Sequence, residues 1–346
     1  MVPAGALATA VLGWLVQVGA VVGSVGALAL GAIFAAVFHA EVIAHRVGEP
    51  FGTLVLAVAV TVIEVALIVS LMLVGGDTSG LARDTVFAAV MIACNGIVGM
   101  CLLVGGVRHR EQTFRLEGAL ATLAVLAALT TLTLVVPNFT TSAPGPMFSV
   151  SQLVFAGLVS LVLYGAYVFV QTIRHRDYFL PPAGADDDSH ATPPGAGVAV
   201  RSFALLLACL VSVVWLAKSL SPTIEGLVTG WGAPKAFVGV IIAAVVLTPE
   251  ALAAVRAARI DRLQTSMNLA LGSALASIAL TIPAVSAVAI LIDAPLALGL
   301  GAKEIVLLFL TLLLATLTLG TGRTTVLQGV VHLVVFAAFV FLTLVP

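Results

Sequence analysis

Apolar runs of about twenty residues, each closed by a short polar cluster, follow one another along this whole chain. A run of that length crosses the ~30 Å hydrocarbon core of a bilayer as one helix. A transmembrane barrel would need alternating segments of about ten residues, and the sequence has none. Hydrophobic residues make up 61% of the 346 and charged residues 9%, against roughly 25% charged in a soluble domain. The fold class is therefore an all-α polytopic membrane protein. Cys94, Cys101 and Cys209 all fall inside apolar runs, which gives no support to a disulfide framework or a thiolate metal site. No basic stripe offers nucleic acid a surface.

Eleven apolar segments can be drawn, at 3–19, 20–46, 52–74, 84–106, 116–136, 149–174, 200–219, 235–257, 263–292, 296–319 and 325–345. The N-terminus lacks the basic stretch of a cleavable signal, so the first segment is expected to stay in the membrane. The one long polar stretch, 176–199, is rich in Pro, Gly and Asp and reads as a solvated linker. Its Asp186, Asp187, Asp188 and His190 could attract cations, although such a run is more often merely solvating. The organisation expected is a leading helix (1–19), a first five-helix repeat (20–175), the linker (176–199) and a second five-helix repeat (200–346). An odd number of helices per half makes the two repeats inverted. When loops are assigned alternately to two sides, Arg83, Lys218, Lys235 and Lys303 fall on one side and the eleven other basic residues on the opposite side. The positive-inside rule then puts the N-terminus and linker in the cytoplasm and the C-terminus outside. A bacterial inner membrane is the expected location.

Two of the runs carry a lone acid. Glu64 is the only charge in Gly52–Gly76, and Glu250 the only charge in Phe237–Val255. A carboxylate at the centre of a spanning helix costs about 2.5–3.5 kcal/mol on insertion scales, so each must be met by a partner, a proton or a cation. The runs open alike, with Gly48 and Pro50 before Glu64 and Gly232 and Pro234 before Glu250. An inverted repeat of this kind brings the two carboxylates together near the bilayer midplane.

The neighbouring residues supply oxygen. Pro249 removes an amide from its helix and frees the carbonyl of Val245, which suits a hard cation, though it reads equally well as a plain kink. Thr248 adds a hydroxyl beside it, and Thr61 lies nearly on the Glu64 face. Asn95, Asn268, Ser273 and Ser277 offer further neutral oxygens, the alternative for each Ser or Thr being a hydrogen bond back to its own helix. A set made only of oxygens matches Ca²⁺, Na⁺ or K⁺ and not Zn²⁺ or copper. His39, Glu41 and His45 could relay protons or cations at a helix end, or could simply reach out to water. His332, alone in the last run, reads as hydrogen-bonded structure. Among sequence motifs, the chain contains no HExxH, GxSxG, Walker loop or CxxC.

HAEVIAHRVGEPFGTLVLAVAVTVIEVALI, the stretch Val246–Glu250, NLALGSALASIALTIPAV and TGRTTVLQGVVHL together resemble the ChaA-type sodium(calcium)/proton antiporters of the cation/calcium exchanger superfamily. The similarity runs over nearly the whole chain. It implies two inverted five-helix repeats, Glu64 and Glu250 as shared cation and proton ligands, and Gly272 with Ser273 as the pair lining the site. The calcium/proton exchangers place Gly-Asn-x-x-Glu at each glutamate. This chain has Val60 and Thr61 before Glu64, Val246 and Leu247 before Glu250, and Ala276 where a glutamine is expected. These departures leave Na⁺ and K⁺ open beside Ca²⁺.

The function expected is secondary cation/proton antiport by alternating access, with no resident cofactor and with inorganic cations, protons and the lipid bilayer as partners. A passive cation channel built on the same carboxylates is the alternative. An intramembrane enzyme is a weaker one, for want of a nucleophile near either glutamate.

Overall fold

The computed structural model describes residues 4–48, 51–74, 78–180, 194–230, 232 and 234–346. Ten long helical segments follow one another: α1 (Ala4–Val47), α2 (Phe51–Val74), α3 (Leu81–His109), α4 (Leu116–Phe139), α5 (Val150–Arg174), α6 (Ala196–Gly230), α7 (Ala236–Arg259), α8 (Leu263–Leu291), α9 (Ala302–Leu319) and α10 (Val326–Leu344). Among the described residues, nine helices are long and apolar enough to cross a membrane, and Val58–Leu73 of α2 is a shorter apolar helix.

The first two expected segments, 3–19 and 20–46, are one continuous helix of 44 residues. No charge and no proline falls between Ala4 and Phe38 to mark a turn there. At 1.5 Å per residue α1 is about 66 Å long, and its two ends lie far apart. The expected leading helix is thus not a separate element but the first part of α1. The acidic tract Asp186–Asp188 and His190 lies outside the described residues.

Two bodies of packed side chains make up the interior. The smaller gathers α1, α2, α6 and the first half of α7 around Ile33, Ala36, Ile63, Leu67, Val213 and Val246. The larger is built on α3 and α8, which are buried along most of their length, and takes in α4, α5, α9 and α10. The outward faces of α5, α6 and α10 carry Phe155, Trp215 and Phe341, all exposed, as a lipid-facing surface requires. The border between the two bodies runs along the contact of α2 with α8.

Short non-helical segments tie the two halves of the chain at both ends of the bundle. At one end β1 (Gln112–Thr113) pairs antiparallel with β2 (Arg323–Thr324). Gln112 also donates to the Ala258 carbonyl at 3.1 Å and to the Asp261 carboxylate at 2.8 Å, while the His109 ring lies 3.1 Å from the Arg259 carbonyl. These contacts supply partners to the open C-terminal carbonyls of α7. At the other end Met147 bridges Ala297, Gly299 donates to the Pro146 carbonyl and Ala297 to that of Ser79. The loops rich in arginine, 108–115 and 256–262 with Arg323, are therefore all at the β1–β2 end, as the alternating assignment requires. α5 and α10 both open on a capping box, Ser149 with Gln152 and Thr325 with Gln328. Each box satisfies two amides that would otherwise lack partners.

Candidate functional site

Glu64 sits near the middle of α2, 3% exposed. Ser277, on the buried face of α8, donates to it and lies 2.8 Å from each of its carboxylate oxygens. One hydroxyl proton is thus shared between two acceptors, and the contact crosses the border between the two packed bodies. Thr281, one turn further along α8, faces the same carboxylate. Its own hydroxyl is fully buried and has no hydrogen-bond partner among the described residues. Thr61 is buried one turn before Glu64 on α2.

Glu250 lies on α7, 7% exposed. Pro249 does not end this helix, which runs on to Arg259. The missing amide still deprives the Val245 carbonyl of its helical donor. Glu250 Oε2 is buried with no hydrogen-bond partner among the described residues. The carboxylate lies within electrostatic reach of Glu64 and of Glu41, and α8 packs against both α2 and α7. Both acids expected from the sequence are therefore buried on helices that pack against α8. Thr248, by contrast, donates to the Ala244 carbonyl at 2.6 Å, so its proton is committed to its own helix.

The remaining expected oxygens divide. Ser273 is half-buried, one turn before Ser277 and on the same face of α8, and makes no side-chain hydrogen bond among the described residues. Beside it, a Cβ added to Gly272 would meet nothing within 4 Å, so the helix is open there. Asn268 is committed elsewhere, accepting from Gln264 at 3.0 Å and donating to the Phe179 carbonyl at 2.6 Å. It fastens α8 to the segment after α5, nine residues and about 13 Å along the helix from Ser277.

Asn95 is committed to other helices. It lies in a π-helical turn of α3, Ile92–Ile97, where one extra residue widens the helix. Its amide donates to Thr311 of α9 at 2.8 Å, and its oxygen lies 3.1 Å from Nδ1 of His332 on α10. The other ring nitrogen of His332 lies 3.1 Å from the Thr318 hydroxyl. A neutral imidazole with the proton on Nδ1 satisfies both contacts. This buried network joins three helices, and it gives His332 the structural part expected of it.

At the end of α1 the three expected relay residues are spread out. His39 Nδ1 is 3.4 Å from the Ser202 hydroxyl of α6. Glu41 and His45 are exposed, and no ion pair joins them among the described residues. Of the three, Glu41 is the one within electrostatic reach of Glu250. Among the described residues no group of three or more His, Cys, Asp or Glu side chains could hold a metal ion. Thr281 is the residue that sequence reasoning missed. Its spacing of four from Ser277 and eight from Ser273 on one helical face was the available signal.

Over residues 17–173 and 201–345 the sequence matches the family described as sodium/calcium exchanger protein. A Sinorhizobium fredii protein, y4hA, described as an ionic transporter, is 53% identical over 324 residues, covering 92% of this chain and 87% of that one. The sodium-potassium/proton antiporter ChaA of Escherichia coli is 37% identical over 313 residues, covering 90% of this chain and 85% of its own. The solved structure of native YfkE superposes with a TM-score of 0.73 at 18% identity, over 92% of this chain and 90% of that chain.

Proposed function

Because the chain belongs to the sodium/calcium exchanger protein family, we propose that it is a secondary antiporter that exports Na⁺, K⁺ or Ca²⁺ in exchange for protons at one site shared by Glu64 and Glu250. The carrying observation is the junction of α2, α7 and α8. There one buried carboxylate is held by Ser277 across the border between two packed bodies, and the other keeps an oxygen without a partner. A buried carboxylate oxygen in that condition is an unmet acceptor for a proton or a cation. The two compete, and if the doubly charged empty site cannot reorient, exchange is obligatory. The likeness to a sodium-potassium/proton antiporter favours monovalent cations as cargo. No resident cofactor enters the scheme.

Several pairs of features support two inverted five-helix repeats, 20–175 and 200–346, joined by the linker 176–199. Gly48 and Gly232, each two residues before a proline, adopt φ of +75° and +70°. α5 and α10, the last helix of each half, carry matching capping boxes. The loop after α3 pairs with the loop before α10, and the loop after α8 with the loop before α5. In this layout the β1–β2 end, with its arginines, faces the cytoplasm and so does the linker, and Glu41 of α1 is the cytoplasmic relay carboxylate toward Glu250.

The test uses purified protein in proteoliposomes with an imposed pH gradient. The protein should move Na⁺, K⁺ or Ca²⁺ uphill with release of protons, and Glu64→Gln and Glu250→Gln should both abolish it. Cation current without proton coupling would instead identify a channel.

A further inference from the structure

A hydroxyl buried in a membrane helix has a ready acceptor in the carbonyl one turn back. This protein uses it widely: Thr122, Thr130, Thr133, Ser160, Thr172 and Thr311 each donate to the carbonyl four residues earlier, at 2.6–2.9 Å. Ser277 departs from the habit because Glu64 takes its proton. Thr281, 0% exposed, departs from it too: like Ser266 and Ser286 of α8 it donates to no carbonyl among the described residues, but its hydroxyl faces the Glu64 carboxylate. A buried hydroxyl left unpaired is costly, and valine has the same shape without that cost. The unpaired hydroxyl by itself gives no reason for a threonine here, since Ser266 and Ser286 of the same helix share that condition.

Its location does. Thr281 lies one turn from Ser277 on the α8 face that meets Glu64, and the nearby Glu250 also keeps a carboxylate oxygen without a partner. Glu64 already has a donor, so the lone pairs of Thr281 are available to a positive ligand between these groups. We propose that Thr281 is a further oxygen ligand of the carried cation, on the Glu64 side of the site, and that it tunes which cation is accepted. Being neutral, it adds a coordination position without adding charge, so it acts through ion size and coordination number rather than valence. The inference rests on the exchange reading given above.

The experiment compares Thr281→Val, Thr281→Ser and Glu64→Gln with the unmodified full chain in proteoliposomes, with Na⁺, K⁺ and Ca²⁺ in turn. Thr281→Val should raise KM for the carried cation about tenfold and leave maximal rate within about twofold. Thr281→Ser should restore KM to within about threefold. The same purified proteins are heated with increasing cation. Thr281→Val should be at least as stable as the unmodified protein without cation, yet need about tenfold more cation for half-maximal stabilisation. A Thr281→Val protein with unchanged KM and unchanged cation stabilisation overturns the proposal. If Glu64→Gln also transports normally, the exchange reading falls with it; if Glu64→Gln is inactive, this inference alone falls. Should Thr281→Val not fold, Thr281→Cys takes its place, since sulfur is a poor ligand for hard cations. Unchanged KM in Thr281→Cys then overturns the proposal, and a raised KM that Thr281→Ser does not show upholds it.

Discussion

Glu64 and Glu250 occupy matching places in the sequence and unlike surroundings in space. Glu64 is braced, with Ser277 donating to both of its oxygens from a helix of the other packed body. Glu250 follows a proline in a helix that has lost one amide, and it keeps an oxygen with no partner among the described residues. On the proposed inverted-repeat layout the two acids correspond, but their surroundings do not make them equivalent. The braced acid holds the two bodies together at a fixed point. On the proposed exchange reading, the unpaired acid is the one neutralised by what enters the site.

The largest expected effect treats the two acids alike. Glu64→Gln and Glu250→Gln should each lower cation-driven proton release by at least about a hundredfold, read as rate in proteoliposomes, because the site then has too little charge to exchange. A difference of that size between the two would break the pairing.

Ser277→Ala sharpens the contrast. Hydrogen bonds to a charged group contribute about 1.5–3 kcal/mol, and each 1.4 kcal/mol is tenfold. Cation KM should therefore change by about tenfold to a hundredfold if the brace shapes the site. An unchanged KM would show that Ser277 serves assembly only.

Stability should separate the two acids in the opposite sense. Glu64→Leu strands the Ser277 hydroxyl and should cost about 1–3 kcal/mol, whereas Glu250→Leu removes an oxygen that had no partner and should be neutral or stabilising. Thermal unfolding of the purified variants reads both, and equal losses would contradict the asymmetry.

His332→Leu serves as a remote control. It unpairs Asn95 and Thr318 and should also cost about 1–3 kcal/mol, with cation KM within about twofold of normal. The smallest effect belongs to Thr248→Val. Its hydroxyl serves its own helix, so stability should stay within about 0.5 kcal/mol and KM should not move.

The acids were legible in the sequence because charge inside an apolar run has no structural excuse. Ser277 was legible for a weaker reason, as one of several neutral oxygens in the helix after Glu250. What a helix does with an oxygen was not legible. Asn95 and Ser277 looked alike as candidates, but Asn95 lies in a π-turn and bonds to α9 and α10, and no periodicity in a single sequence announces such a turn. Asn268 likewise found a carbonyl 89 residues away. The joining of the first two segments into α1 escaped because both readings need only uninterrupted apolar residues. Pro249 reads as a plain kink or as the source of a free carbonyl, and in the structure α7 runs on through it to Arg259 while packed on α3 and α8.

The pairing of loops across the halves has a consequence for how the chain can be divided. β1 belongs to the first half and β2 to the second, and the Met147–Ala297 bridge repeats the exchange at the far end. Helix α3 of the first half is moreover packed among α7, α8 and α10 of the second. Two gene fragments separated within 181–193 would thus encode pieces that clasp each other as two interlaced hands do, with peptide continuity contributing little to their grip. Co-expressed, they should copurify as one particle, and neither alone should hold its shape.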